Sequence, residues 1–332
     1  MRRLPIFVCV DVSESMAGDA LESVQGGLQT MLLALKKDPM VIEIGAISVI
    51  SFGYGAKVEV PLTSILDVRL PKLRLSSGTS LGAAFDLLSS EILSNVKKTT
   101  CEVRGDYKPI VFLITDGQPT DDWANSLQRF KRENRNLLFY AIGCGDDIDF
   151  SLLKQVTDNC YALRDMNSEA FGKLFKCVSA SIQSATNSVA SGAEKSEDLT
   201  EWAAGALEKP TFEDMNSSRG MKQIMLSAMC SRTGKHYLVR YHLNDNEQYV
   251  CTASHPLSEA LEGGHAKAGQ VHASRLGNPH PCPYCGNQAL VHCQCGELSC
   301  ISPIAREMRC PSCGNSGTIS CDRNFSVDRS KG

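Results

Sequence analysis

Three short segments of this chain combine residue type and spacing in a way that points to chemistry: Asp11-Val12-Ser13-Glu14-Ser15, Ser77-Gly78-Thr79-Ser80 and Thr115-Asp116-Gly117. From them Asp11, Ser13, Ser15, Thr79 and Asp116 supply two carboxylates and three hydroxyls. An all-oxygen set suits Mg²⁺ or Mn²⁺, and only two formal charges leave the ion electron-poor and incompletely coordinated. An acidic residue of another protein can then complete the octahedron, which is binding chemistry rather than turnover. A metal-dependent phosphatase would need a second Asp two positions after Asp11 as general acid, and that position is Ser13. The first 235 residues contain no histidine for acid–base work either. Taken singly, Asp11 and Ser13 read as helix caps and Thr115-Asp116-Gly117 as a turn. Their joint placement at strand ends is what argues for a metal.

Sulfur is the second concentration of chemistry. Eight of the fifteen cysteines lie between Cys282 and Cys321. In a reducing compartment such density reads as metal ligation, not as a disulfide framework. Cys282-Pro-Tyr-Cys285-Gly and Cys310-Pro-Ser-Cys313-Gly have the form of zinc knuckles. Together Cys282, Cys285, Cys310 and Cys313 are expected to make one tetrahedral four-sulfur site, although the 24 residues between the pairs slightly exceed the usual spacing. Cys293, Cys295, Cys300 and Cys321 remain for a second zinc or for interleaving with the first, with His280 and His292 as alternative ligands. Cys144, on the rim expected for the oxygen site, is a candidate reactive thiol set against the commoner role of a small packed residue.

The elements that must position these residues alternate. Residues 6–10, 110–115 and 137–142 are nearly continuous apolar runs, as expected for parallel strands covered on both faces. Residues 41–52 contain another strand, with 57–60 as a short hairpin partner. Between them run helical stripes: Leu21, Val24, Leu28, Met31, Leu32 and Leu35; then Phe85, Leu88 and Ile92; then Trp123, Leu127 and Phe130; then Phe171, Leu174, Phe175, Val178 and Ile182. The expectation is an α/β domain over 1–183 with a doubly wound, mostly parallel sheet, in which Asp11 and Asp116 reach the carboxyl-end rim where ligands bind. Residues 184–212 read as a Ser-rich linker with a short helix near Leu199–Leu207. A smaller β-rich, zinc-ribbon-like domain follows over 213–332. It opens on a hairpin around Tyr237 and Tyr249, passes a Gly/Ala-rich loop at 259–270, and contains the Cys-rich module at 280–323.

Bulk properties narrow the function. The chain has 332 residues, 42% apolar and 21% charged, with a net charge of −3. That length predicts two domains. The apolar run after Met1-Arg2-Arg3 stops at Asp11, too short for a signal peptide, and no stretch reaches the roughly 20 apolar residues of a spanning helix. The expectation is a cytoplasmic protein without membrane contact. Residues 213–332 carry twelve Lys and Arg against ten Asp and Glu, a surplus that one four-thiolate zinc site cancels. Nucleic-acid binding through a zinc ribbon is therefore the weaker alternative, and metal-dependent phosphatase activity weaker still.

The Asp11, Ser13, Ser15, Thr79 and Asp116 constellation resembles the metal-ion-dependent adhesion site (MIDAS) of von Willebrand factor A (VWA) domains, over about residues 4–183. Followed by a separate Cys-rich tail, it also resembles the TerY-type proteins of bacterial tellurite-resistance systems. That resemblance implies a non-catalytic adaptor in a stress response, working with a Ser/Thr protein kinase and a PP2C-type phosphatase. It also implies that the first-loop hydroxyls and Thr79 contact the metal directly while the carboxylates often act through water.

Overall fold

A computed structural model describes residues 2–145, 148–191, 198–201, 205–211, 214, 222–258, 261, 267–320 and 323–330, and the chain divides into two compact units. The first unit runs β1 (Leu4–Asp11), α1 (Asp19–Leu35), α2 (Pro39–Ile44), β2 (Gly45–Phe52), β3 (Ala56–Ser64), α3 (Leu81–Asn95), β4 (Ile110–Thr115), α4 (Trp123–Glu133), β5 (Leu138–Cys144), α5 (Phe150–Val156), β6 (Cys160–Leu163) and α6 (Ser168–Ser191). Its six strands lie in the order β3-β2-β1-β4-β5-β6, all parallel except the β3 edge. Every residue of β1, β2 and β4 is buried, which explains why these strands read as unbroken apolar runs. One face of the sheet packs on α3, α4 and α5 through Phe85, Phe130, Phe139 and Phe150. On α1, Gly27 leaves room for α6: a Cβ there would lie 2.2 Å from the Phe175 ring.

Some elements differ from the sequence expectation, each for a local reason. Residues 41–44 are helical because Asp38 caps α2, accepting from the Met40 and Val41 N–H groups, with Pro39 at the first helical position. α6 continues to Ser191, through the first residues of the expected 184–212 linker, and Thr186 is fully buried. Farther on, Leu199 and Leu207 are buried, and Glu208 pairs its backbone with Ala162 of β6. The strand β6 and the short α5 add to the elements expected from the sequence.

The second unit holds a five-stranded sheet formed by β7 (Gln223–Met229), β8 (His236–Leu243), β9 (Tyr249–Pro256), β11 (Ala289–His292) and β12 (Leu298–Ile301), ordered β11-β12-β7-β8-β9. β10 (Lys267–His272) pairs with β15 (Ser326–Ser330), and β13 (Glu307–Arg309) pairs with β14 (Ser316–Thr318). The expected hairpin is β8–β9. The Gly/Ala-rich segment expected as a loop ends inside β10, while residues 259–260 and 262–266 lie outside the described residues. A modest core of Ile224, Leu226, Tyr237, Val239, Tyr241 and Val327 lies beneath the sheet. Among the described residues, no helix is long and apolar enough to cross a membrane.

Candidate metal centres

β1 and β4 are neighbours, and the connections leaving them diverge, so the crevice at their carboxyl ends is where this topology places a ligand. Asp11 ends β1, and Asp116 follows the last residue of β4. The Asp11 carboxylate accepts from the Ser13 N–H at 2.9 Å and from the Thr115 hydroxyl at 2.6 Å. The Ser13 and Ser15 hydroxyls are 2.8 Å apart, and Ser15 donates to Asp116 at 2.8 Å. These bonds stitch the first loop to the third. Thr79 enters beside Gly117, where a Cβ would come within 2.7 Å of the Thr79 hydroxyl. Glycine at 117 is what lets the two loops approach.

Three observations fit these residues to a cation. The Thr79 hydroxyl is buried and has no hydrogen-bond partner. Asp11 is wholly buried, and burial pushes its carboxyl up to about 6, against the lowering effect of the Thr115 and Ser13 hydrogen bonds. Its anion therefore lacks compensating charge, which a divalent ion supplies. The donor set is oxygen throughout, from Asp11, Ser13, Ser15, Thr79 and Asp116. Cys144 is also buried at this rim, and burial together with the nearby Asp116 and Asp11 carboxylates pushes its thiol well up, so it is a packed thiol rather than a reactive one.

Two positioning residues, Thr120 and Asp121, were not singled out in the sequence. Thr120 brackets Thr79: its hydroxyl accepts from the Thr79 N–H at 3.0 Å, and its own N–H donates to the Thr79 carbonyl at 2.9 Å. Asp121 accepts from the Gly82 and Ala83 N–H groups, both at 3.0 Å, and so caps α3 from a remote loop. Ser80, the residue at the N-cap position, makes no side-chain cap bond of its own. No pattern local to α3 could have revealed its cap.

The cysteines of the second unit converge in two clusters, and the membership differs from the sequence expectation. Cys282 and Cys285 join Cys230 and Cys300, whereas Cys310 and Cys313 join Cys293 and Cys295. The single site of Cys282, Cys285, Cys310 and Cys313 is thus corrected to two interleaved sites. The cause is the β11–β12 hairpin. Its tip carries Cys293 and Cys295, while its return strand brings Cys300 back opposite Leu290. Strands of four residues span about 13 Å, so one hairpin serves both sites. Cys321 lies outside the described residues. His280 and His292 belong to neither cluster.

Cys230 lies well before the Cys-rich segment, yet its turn carries a readable signal. In Cys230-Ser-Arg-Thr-Gly234 the Cys230 N–H donates to the Lys235 carbonyl and the Gly234 N–H to the Cys230 carbonyl, each at 2.8 Å. Cys282 with Gly286 and Cys310 with Gly314 repeat both bonds. Gly234, Gly286 and Gly314 all have positive φ, between 68° and 77°. Cys230 therefore opens a knuckle in which Thr233 stands where the second cysteine would be. Sulfur separations are 3.4 Å for Cys285–Cys300, 3.7 Å for Cys293–Cys313 and 3.8 Å for Cys295–Cys310. Four sulfurs about 2.3 Å from a central Zn²⁺ have tetrahedral edges of about 3.8 Å, so both clusters fit zinc.

Comparison with known proteins agrees with this architecture. The family model of the von Willebrand factor type A domain matches residues 6–176, and that of the TerY-C metal binding domain matches 221–332. The chain belongs to the von Willebrand factor type A family. With its TerY-C domain it has the TerY-type architecture. Among solved structures, the VWA domain is similar to a mussel byssus proximal thread matrix protein 1 with a zinc-occupied MIDAS motif. The identity is 17%, over 55% of this chain and 48% of that one, with a TM-score of 0.41. The chain thus spans about half the length of the mussel protein. It is also similar to BatB of Bacteroides thetaiotaomicron, at 16% identity over 55% of this chain and 98% of that one, with a TM-score of 0.39.

Proposed function

We propose that the chain is a non-catalytic adaptor whose VWA domain grips an acidic residue of a partner protein through Mg²⁺ or Mn²⁺ at the MIDAS. Asp11, Ser13, Ser15, Thr79 and Asp116 hold the ion, which supplies Lewis acidity toward the partner's carboxylate. The observation that carries this reading is the buried, unpartnered Thr79 hydroxyl, which stands against Gly117 at the rim where Asp11 ends β1 and Asp116 follows β4. Catalysis finds little support, because Ser13 replaces a general acid and no histidine precedes His236. The TerY-C domain, folded around Zn²⁺ at Cys230, Cys282, Cys285 and Cys300 and at Cys293, Cys295, Cys310 and Cys313, presents a second docking surface. Two four-thiolate zinc sites contribute −4 to a segment whose side chains sum to +2, leaving about −2, which disfavours a phosphate-binding surface.

The TerY-type resemblance supports a cytoplasmic role in a tellurite-resistance or related stress response, with a Ser/Thr kinase and a PP2C-type phosphatase as partners. Pull-downs test the docking mechanism by comparing the wild type, with and without EDTA, against Asp11→Ala and Ser13→Ala. Partner recovery is expected to fall in all three treatments. Recovery that stays constant throughout would sink the metal bridge.

A further inference from the structure

The two sulfur clusters share a ligand chemistry but differ in exposure. Cys230 and Cys300 are 0% exposed, Cys282 is 2% exposed and Cys285 is half-buried. In the other cluster Cys295 and Cys313 are exposed, Cys293 is half-buried, and only Cys310 is buried. Metal-bound thiolates keep lone pairs able to attack an oxidant, so access decides which of them react.

We propose that the outer cluster, Cys293, Cys295, Cys310 and Cys313, is a site of reversible oxidation by small peroxides, while the inner cluster is a permanent structural site. This rests on the zinc reading given above. The exposed Cys313 sulfur attacks one peroxide oxygen; the O–O bond breaks, an S–O bond forms, and hydroxide leaves to take up a proton as water. The Cys293 sulfur, 3.7 Å away, then attacks the sulfenic sulfur. An S–S bond replaces the S–O bond, and a second hydroxide leaves and is protonated. The two sulfurs lose two electrons, which the peroxide gains. Two thiolates remain, too few to retain the ion.

The outer cluster also holds a wall of a groove. Cys310 and Cys313 lie in the turn between β13 and β14, and Ser316 and Thr318 of that hairpin line a cavity of about 930 Å³. Its apolar lining includes Leu226, Phe325 and Val327. Cys293 and Cys310 reach the lining, and no inner-cluster cysteine does. Oxidation at the outer site thus frees the hairpin and opens the groove without dissolving the core.

The test uses the purified full chain, whose zinc content is first fixed by elemental analysis. Hydrogen peroxide is then added, zinc release is followed with a chromogenic chelator, and thiols are mapped by alkylation and peptide mass spectrometry. One of two zinc ions should leave, roughly tenfold or more faster than the other. Cys293 and Cys313 should lose alkylation and regain it after reduction. Hydrogen exchange should rise in β13–β14 and stay slow in β7–β9. Release of both ions at one rate, modification of Cys282 or Cys285 first, or no release at peroxide levels that oxidise a free-cysteine peptide would each overturn the proposal. A chain purified without zinc would instead sink the underlying zinc reading, and elemental analysis distinguishes that failure before any peroxide is added.

Discussion

Thr79 is 1% exposed and its hydroxyl is unpartnered, whereas Ser15, from another loop of the same site, spends its hydroxyl on Asp116. A buried hydroxyl with no partner costs about 1–3 kcal/mol, a penalty that a bound cation removes. Thr79→Val keeps the shape and deletes the oxygen. It should leave the metal-free protein at least as stable as the wild type while lowering Mg²⁺ affinity by about tenfold or more, measured by calorimetric titration. Unchanged affinity would remove Thr79 from the ligand set. Gly117→Ala places a methyl group 2.7 Å from the same hydroxyl, and is expected to weaken Mg²⁺ binding and to cost about 1–3 kcal/mol in denaturant melts.

Among the elements, α3 depends on the loop after β4 for its cap and for the position of Thr79. Asp121→Ala strips two N–H groups of their acceptor. Mg²⁺ affinity is expected to fall about 10- to 100-fold, the usual effect of losing a group that orients a ligand, with Asp121→Asn recovering part of it. Equal affinities in all three proteins would make the cap purely structural. A second tie holds the start of β1. Asp106 accepts from Arg3 at 2.7 Å and from the Lys97 N–H at 2.9 Å, and its side chain is 1% exposed. Burial alone would raise this carboxyl, but the bonds from Arg3 and Lys97 outweigh it and hold it below the usual range. A lowered folded-state value means the stabilisation is fully present above the unfolded value of about 3.9 and is lost as pH falls through the folded value. Asp106→Asn should cost about 1–3 kcal/mol at pH 7, and the gap to wild type should narrow as pH falls below the unfolded value of about 3.9 in pH-dependent denaturant melts.

Across the whole chain, the two units owe their stability to different physics. The first buries three complete strands and an aromatic cluster, enough apolar surface to fold without a metal. The second has a smaller core and two sets of thiols that repel one another as thiolates unless an ion neutralises them. Elemental analysis should find two zinc ions per chain, and Cys230→Ser should bring that to one. A strong zinc chelator should raise hydrogen exchange in β7–β9 while β1 and β4 stay protected. Full protection of both units after the metal is stripped would mean the thiol clusters are not what holds the second unit together.

The doubly wound sheet and the meeting of the Asp11, Thr79 and Asp116 loops at its rim were legible because both are written locally. Buried parallel strands appear as apolar runs, and each ligand loop carries its own short signature, from Asp11 through Thr79 to Asp116. The Cys-x-x-Cys turns were legible for the same reason. Which turns share an ion was not, since that depends on where the β11–β12 hairpin carries Cys300, and on a knuckle at Cys230 that has Thr233 in place of its second cysteine. Thr120 and Asp121 escaped notice likewise, because they act on backbone groups about 40 residues away. Residue types and local spacing carry the oxygen and sulfur chemistry and most of the donors, Cys230 excepted. The sulfur partnerships, the remote cap on α3 and the unequal exposure of the two clusters are settled only in the folded chain, because each depends on segments distant in sequence meeting in space.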